Sequence, residues 1–359
     1  MTLKPALSAY LDLMRFVAAL AVLLGHMDQD GLSMAWMPLS RFSHEAVVIF
    51  FVLSGFIIYY STTSRTTTWQ QYAVARLSRI YSVALPSVLL CMLLALWLSL
   101  QSGFDPNRFS NYAQPTMWDT ISSLLFLNQS WMNKADVPLN NPYWSLCYEV
   151  LFYGMFGAYF FAKDRSRWVL VTAVALLAGP AVLVMLPIWL LGAWLASSGR
   201  YAIRWTSGRA WMAFLAPIAL IVLINVSGVD VLIRTILFET VPGYWHLENS
   251  QRFLTDYLIG AALCLHIAAF SSLPAAVQGL FVRHQRWFAS LAGFSFTLYL
   301  FHRPMTQLLG AHYPLPPNAV WQTALLTLCL LLACWIISWG TEKQLPAWRR
   351  TFSRWLLQW

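Results

Sequence analysis

Two polar side chains, Arg15 and His26, lie inside the first hydrophobic stretch of the sequence. At about 100° per residue, their separation returns to within roughly 20° of the same helical face, about 16 Å further along the axis. An arginine at mid-bilayer depth costs at least about 2.5–3.5 kcal/mol on insertion scales. We therefore expect Arg15 to face a protein interior or a wet cavity, in a segment that forms a site. Asp12, one turn before Arg15, offers the alternative of a purely structural ion pair.

Composition places this segment in a membrane. The 359 residues are 59% hydrophobic and 10% charged, and their mean hydropathy of +0.58 is far outside the range of soluble domains. The net charge of +9 comes from basic residues spaced between apolar segments. This spacing argues against a nucleic-acid partner and favours membrane topology.

Windows of about 20 apolar residues predict an all-α fold, a polytopic helical bundle of about ten transmembrane helices. The predicted spans are 8–27, 44–63, 80–101, 143–162, 168–185, 187–198, 210–227, 253–271, 288–308 and 319–341. With both termini cytoplasmic, the inner connections carry most of the 23 lysine and arginine residues. We expect a multi-pass protein of the cytoplasmic (inner) membrane, surrounded by lipid. Its transmembrane domain is expected over residues 1–345, with a short basic cytoplasmic tail over 346–359.

This topology brings ionisable groups from three helices to one level. His26 lies near the outer end of the first span, Glu149 about two turns into the fourth, and His302 near the outer end of the ninth. A lone histidine or glutamate near a helix end is more often an interfacial residue. The convergence of three such groups predicts a polar site.

Five motifs along the chain resemble those of the acyltransferase-3 membrane proteins, which acylate hydroxyl groups of surface carbohydrates and some small molecules. The motifs are Leu11–Arg15 with His26, Phe50–Phe56, Arg76–Tyr81, Asn141–Leu146 with Glu149 and Tyr153, and Ser295–His302. They follow the family's order and cover nearly the whole chain.

The resemblance implies an enzyme that takes an acyl group, usually acetyl, from cytoplasmic acyl-coenzyme A (acyl-CoA) and delivers it to an acceptor at the outer face. His26 matches the family's catalytic histidine, and Arg15 matches its partner arginine. Arg76 and Arg79 match the Arg-x-x-Arg motif on the cytoplasmic side. His302 resembles a late histidine that supports His26 or binds the acceptor.

These assignments suit the chemistry of acyl transfer, which needs a base, a group for the oxyanion and a donor site. A neutral His26 is the expected base. Arg15 would steady the pantetheine arm or the thioester. Arg76 and Arg79, three positions apart on one helix face, suit the phosphates of coenzyme A. Their alternative is a positive-inside flank or a contact to lipid headgroups.

Further residues are expected to contact the acceptor, and their roles stay open. Glu149 would orient a histidine, bind an acceptor hydroxyl or cap a polar network. Ser145 would bind the acceptor or cap its helix. Trp144, Tyr299 and His302 complete the expected acceptor contacts. A covalent acyl intermediate on Cys147 is disfavoured because the family pattern requires no cysteine there, and the spacing of His, Cys and carboxylate residues predicts no metal.

Two features depart from the family pattern. Many members carry a fused extracytoplasmic domain that receives the acyl group, whereas this sequence reaches Trp359 soon after its tenth predicted span. We therefore expect direct transfer to the acceptor or to a separate partner protein of polysaccharide biosynthesis. Tyr148 stands where some relatives have a second acidic residue, so the acceptor geometry is expected to differ.

The sequence thus predicts a membrane O-acyltransferase, in particular an O-acetyltransferase. The expected acceptor is a carbohydrate hydroxyl of an exopolysaccharide, lipopolysaccharide or lipid-linked sugar. The alternative is a transporter or flippase of a polysaccharide precursor, in which Arg15, His26 and Glu149 line a substrate path. An inverted repeat of broken helices would favour that alternative, and the sequence shows none. A third interpretation, an assembly or regulatory protein, would predict no turnover.

Overall fold

The computed structural model describes residues 3–33, 38–66, 68–110, 112–131, 135–316 and 319–357. The structure is 81% helix, and these described ranges contain no strand. The all-α prediction is therefore confirmed.

Fifteen α-helices follow one another in the described residues. They are α1 (Pro5–Gln29), α2 (Ser43–Arg65), α3 (Trp69–Ser99), α4 (Met117–Leu124), α5 (Trp144–Phe161), α6 (Asp164–Ala178), α7 (Pro180–Ser197), α8 (Ser207–Ser227), α9 (Val229–Thr240), α10 (Phe253–Phe270), α11 (Ala275–Arg283), α12 (Gln285–Ala292), α13 (Ser295–His312), α14 (Val320–Ser338) and α15 (Leu345–Leu356).

Seven helical segments in the described part of the chain are long and apolar enough to cross a membrane. They are Pro5–Gln29, Pro38–Ser64, Trp69–Ser99, Pro180–Ser197, Ser207–Ser227, Tyr244–Phe270 and Val320–Leu356. The predicted count of ten and the cytoplasmic placement of both termini stay predictions.

The predicted boundary between the fifth and sixth spans needs correction. Helix α6 ends at Ala178, and Gly179, with φ +82°, separates it from α7. Glycine adopts this backbone conformation at little cost, and Pro180 suits the first turn of a helix. Residues 180–197 therefore form one helix that continues through Pro187, instead of two segments that meet at residue 186.

The ninth predicted span, 288–308, is also divided. Helix α12 ends at Ala292 and α13 begins at Ser295, so Gly293 and Phe294 separate two helices. The segment that carries His302 is thus α13 alone, which extends to His312.

The chain forms two compact units. The first unit comprises Met1–Ala18, His44–Thr66 and Pro180–Ala292, and it contains the start of α1, α2 and α7–α12. The second unit comprises Ala19–Ser43, Thr67–Gly179 and Gly293–Trp359, and it contains the rest of α1, α3–α6 and α13–α15.

Close helix packing in the first unit depends on glycine. A Cβ atom at Gly55 of α2 would lie 1.9 Å from the Trp189 carbonyl oxygen, and one at Gly192 of α7 would lie 2.0 Å from the Val52 carbonyl oxygen. The Trp189 indole N–H donates to Ser54 Oγ at 3.1 Å. A larger side chain at either glycine would force the two backbones apart.

A buried asparagine ties together three elements of the second unit. The Asn140 side-chain amide donates to the Leu300 carbonyl at 2.9 Å and to Ser87 Oγ at 3.1 Å. Asn140 lies just before α5, Ser87 on α3 and Leu300 on α13. These bonds hold α13 in register with the start of α5, where several of the predicted site residues lie.

Candidate active site

Two histidines of the second unit contact each other directly. His26, near the end of α1, and His302, on α13, are joined by a hydrogen bond of 2.8 Å between His26 Nδ1 and His302 Nε2. Their rings stack with centroids 5.0 Å apart. His302 Nδ1 donates to the Leu298 carbonyl at 2.7 Å, and His302 is completely buried. Both nitrogens of His302 are therefore engaged within the protein.

This chain of hydrogen bonds assigns the tautomers of both rings. The Leu298 carbonyl only accepts, so Nδ1 of His302 carries the hydrogen. In a neutral ring the other nitrogen then accepts, and His26 must donate through its own Nδ1. The lone pair of His26 consequently lies on Nε2. His26 is thus oriented as a base whose reactive nitrogen is turned away from His302.

A pair of hydroxyl groups lies next to these histidines. Tyr299, one turn before His302 on α13, has its ring centroid 6.5 Å from that of His302. Its hydroxyl is 2.7 Å from Ser145 Oγ, and each of the two hydroxyls is 3.1 Å from the Pro142 carbonyl oxygen. The two hydroxyls have two hydrogens for these three contacts, so at most two of the contacts are hydrogen bonds at one time.

Trp144 begins α5 beside this hydroxyl pair. Its ring meets Tyr148 edge to face at 5.0 Å, and it is partly exposed. A partly exposed indole directly before Ser145 in the sequence is a suitable surface for a sugar ring.

Glu149 also lies on α5. It follows Ser145 by one turn and accepts a short hydrogen bond from the Tyr153 hydroxyl. The Tyr72 hydroxyl of α3 donates to the Tyr153 carbonyl at 3.0 Å, and Glu149 also interacts electrostatically with Arg76. The partner that orients His26 is His302, so this geometry favours the polar-network role for Glu149 over the orientation of a histidine.

The two arginines predicted to bind the donor differ in their surroundings. The Arg76 guanidinium lies 6.0 Å from the centre of the Tyr72 ring, and its buried Nε has no hydrogen-bond partner among the described residues. Arg79 is 37% exposed, and its guanidinium lies 3.7 Å from Glu342 Oε1. Arg76 therefore offers an unused buried donor, whereas the charge of Arg79 is shared with a carboxylate.

Arg15 lies in the first unit, on the part of α1 that precedes Ala18. Its guanidinium is 3.7 Å from Asp12 Oδ1, and its side chain is 22% exposed. Helix α1 does carry Arg15 and His26 on one continuous helix, as their spacing predicts. The local ion pair with Asp12 is also present, as the structural alternative predicts.

A buried ion pair next to His302 was not assigned from the sequence. Arg303 is 1% exposed and bonds Asp30 through a short contact. It also donates to Asn141 Oδ1 at 2.9 Å and to Ser110 Oγ at 2.5 Å. Asp30 follows His26 by four positions and Arg303 follows His302 directly. Each member of the ion pair thus lies within about one helical turn of a histidine, and the ion pair and the histidine pair join the same two segments.

Cys147 is placed as a structural residue. Its thiol is buried and donates to the Phe126 carbonyl at 2.9 Å. A thiol that donates its hydrogen to a carbonyl is not the thiolate that nucleophilic catalysis requires. Among the described residues no three His, Cys, Asp or Glu side chains are grouped for a metal ion, and the absence of a metal stays a prediction.

Comparison with known proteins finds a family model described as an acyltransferase domain, which matches residues 8–339. Acyltransferase MdmB of Streptomyces mycarofaciens is 28% identical over 163 residues, which cover 41% of this chain and 38% of that protein. The matched region thus spans less than half the length of this curated relative. No solved structure matches the chain.

Proposed function

Since this chain belongs to the acyltransferase-3 family, we propose that it is a membrane O-acyltransferase that uses cytoplasmic acyl-CoA, preferably acetyl-CoA. The acceptor is a carbohydrate hydroxyl at the outer face, on an exopolysaccharide, lipopolysaccharide or lipid-linked sugar. The observation that carries this proposal is the hydrogen-bond chain from the Leu298 carbonyl through His302 to His26.

The proposed reaction uses His26 Nε2 as the base. As the acceptor oxygen attacks the thioester carbonyl, Nε2 takes the hydroxyl proton, and the carbon–oxygen bond forms. The carbon–sulfur bond then breaks, and the thiolate of coenzyme A leaves and takes the proton back from the imidazolium. His302 Nε2, which accepts from His26 Nδ1, stabilises that imidazolium as it forms.

The neighbouring side chains supply binding and orientation. Ser145 and Tyr299 offer hydroxyls to the acceptor or to the developing oxyanion, and Trp144 offers a ring face to the sugar. His302 acts as a positioning residue for His26, because neither of its nitrogens is free to reach an acceptor. Arg15 steadies the donor, as its match to the family's partner arginine implies.

The donor phosphates are proposed to bind at Arg76. A charge-assisted hydrogen bond to phosphate would satisfy its buried Nε, while Arg79 contributes less because it already has Glu342 nearby.

Glutamine substitutions at the two arginines are expected to have unequal effects. Arg76→Gln should weaken acyl-CoA binding by about 10–100-fold, as expected for the loss of a hydrogen bond from a charged group. Arg79→Gln should weaken it by a smaller factor. The measurement is the dissociation constant of acyl-CoA for each purified variant. Unchanged affinity for acyl-CoA in both variants would contradict donor binding. It would favour the alternative that Arg76 and Arg79 are a positive-inside flank or contact lipid headgroups.

His302 provides a test of the positioning role. His302→Phe keeps a ring but removes the acceptor for His26 Nδ1, so kcat should fall by about tenfold or more, the usual scale for an outer partner of a functional histidine. The KM for acyl-CoA should stay unchanged. His302→Gln should recover part of kcat, because its amide oxygen can accept the same hydrogen bond. Equal loss in both variants, or a change confined to KM, would contradict the role.

The overall reaction is tested with radiolabelled acetyl-CoA supplied to membranes that contain the protein. Label in a glycan, dependent on the protein, is the expected result, and fractionation identifies the acceptor. Movement of a saccharide across the membrane without thioester consumption would instead support a transporter.

A further inference from the structure

A cavity of about 540 Å³, lined by both polar and apolar side chains, opens within the first unit. Three segments form its walls: the chain entering α1, the loop before α8, and the region from the end of α10 into α11. Its size lies within the range of small-molecule sites, about 300–1,000 Å³. None of the residues proposed for acyl transfer lines it.

The charged side chains that line the cavity are all positive. Its lining contains the cationic side chains of Lys4 and Arg204 and no carboxylate. Both cationic side chains are exposed, and neither forms an ion pair within the described residues. Two unneutralised cations that converge on one cavity favour an anionic occupant.

The walls of the cavity are held in place by their own hydrogen bonds. The Trp205 backbone N–H donates to Ser272 Oγ at 2.9 Å, and Ser272 Oγ donates to the Ile203 carbonyl at 2.7 Å. The Gln278 amide donates to the Leu273 carbonyl at 2.7 Å. These bonds fix the Arg204 segment against the start of α11 without using either cation.

Two further groups suit a phosphate. Ala275, the first residue of α11, lines the cavity, and the positive end of the helix dipole adds to an anion site that cations already define. Trp205 places an indole in the same wall.

We propose that this cavity binds a phosphate-bearing ligand through Lys4 and Arg204. Soluble coenzyme A and the headgroup of an anionic phospholipid both present this chemistry. A bound phosphate would join the chain entering α1 to the loop before α8, and so would hold the helix that also carries Arg15 and His26. The inference concerns binding alone and does not depend on the proposed acyl transfer.

The test compares two double variants of the full chain in nanodiscs. Lys4→Gln/Arg204→Gln removes both cavity cations. Arg209→Gln/Arg286→Gln removes the same charge from two exposed arginines outside the cavity. The thermal unfolding midpoint is measured in phosphatidylcholine, then with pyrophosphate or coenzyme A added, and separately with phosphatidylglycerol in the bilayer. A ligand that binds only the folded state raises the midpoint.

We expect at least one of these ligands to raise the midpoint of the unmodified protein and of the Arg209/Arg286 control. The cavity variant should show a smaller rise than the control, with affinity at the cavity about tenfold or more weaker. Any rise that remains with coenzyme A belongs to the donor site proposed at Arg76. A rise with coenzyme A and pyrophosphate identifies a soluble ligand, and a rise with phosphatidylglycerol alone identifies a lipid headgroup. No rise in the unmodified protein, or equal behaviour of the two variants, would overturn the site. No acyl transfer is measured, so this outcome is separate from that of the proposed function.

Discussion

Replacing His26 with alanine is expected to lower acyl transfer by about 10²–10⁴-fold, the range that general-base catalysis contributes. Alanine leaves His302 and its bond to the Leu298 carbonyl in place, but it removes the nitrogen that would take the acceptor proton. His26 lies in the last turn of α1, where alanine is a good helix former. Membrane insertion should therefore be preserved.

A second substitution at His26 separates its role as a base from its hydrogen bond to His302. In His26→Gln the side-chain amide can still donate to His302 Nε2, yet it cannot accept and return a proton. We expect this variant to be as inactive as His26→Ala. Activity recovered by glutamine would show that the hydrogen bond to His302, and not a base at this position, is what acyl transfer requires.

The matched control is His312→Ala. Like His302, His312 lies on α13 and donates from Nδ1 to the carbonyl four residues before it, that of Leu308, at 2.8 Å. Unlike His302, its side chain is exposed. Its replacement should leave acyl transfer unchanged. Transfer of label from radiolabelled acetyl-CoA is measured in membranes with equal amounts of each variant, and transfer retained by His26→Ala would refute the assignment of the base.

The pattern of hydropathy predicted the class of fold correctly, but not every break in the helices. An apolar window detects residues suited to lipid or to a protein interior, and it carries little information about the backbone within that window. The Gly179–Pro180 junction was visible as a turn signal. The predicted spans instead place the boundary just before Pro187, although a proline inside an apolar helix is tolerated where neighbouring groups satisfy the freed carbonyl.

The order of five motifs identified the family, which comparison with known proteins confirms. The motifs did not predict which side chains contact each other in the folded protein. His26 and His302 are 276 positions apart, and a predicted depth for each residue says nothing about the direction in which it points around its helix. Glu149 illustrates the difference, because its position in the sequence did not indicate that it would accept from Tyr153 and interact with Arg76 and Tyr299.

Long-range ion pairs were equally inaccessible to local patterns. Arg79 was interpreted from its own motif, whereas its nearby carboxylate, Glu342, comes from the segment after α14. Glu342 in turn accepts from the Thr297 backbone N–H at 3.2 Å. Only the folded chain shows that one carboxylate serves both elements, and this is why Arg76 becomes the stronger candidate for the donor.

Breaking the Arg303–Asp30 pair should lower the free energy of unfolding by about 3–5 kcal/mol, as expected when a buried ion pair loses one partner. This is the largest loss of stability that we expect from the substitutions proposed for this protein. Arg303→Met leaves the Asp30 carboxylate buried without its guanidinium, and it also removes the donors to Asn141 and Ser110. Burial raises the pKa of Asp30, while the charge of Arg303 acts in the opposite direction. The attraction between Arg303 and Asp30 therefore offsets the cost of removing Asp30 from water. In Arg303→Met the loss of stability arises mainly because the Asp30 carboxylate stays buried without its ion-pair partner.

A double-mutant cycle distinguishes this explanation from a simple packing defect. Asp30→Asn/Arg303→Met removes both charges, so it should be less destabilised than the sum of the two single variants, with a coupling energy of about 1–3 kcal/mol for groups in direct contact. Arg349→Met, at an exposed position on α15, controls for the substitution itself and should change stability by no more than about 0.5 kcal/mol. The measurement is the free energy of unfolding in mixed micelles. Strict additivity of the two single variants would mean that Arg303 stabilises α13 by packing, and that the histidine pair is held in place without this ion pair.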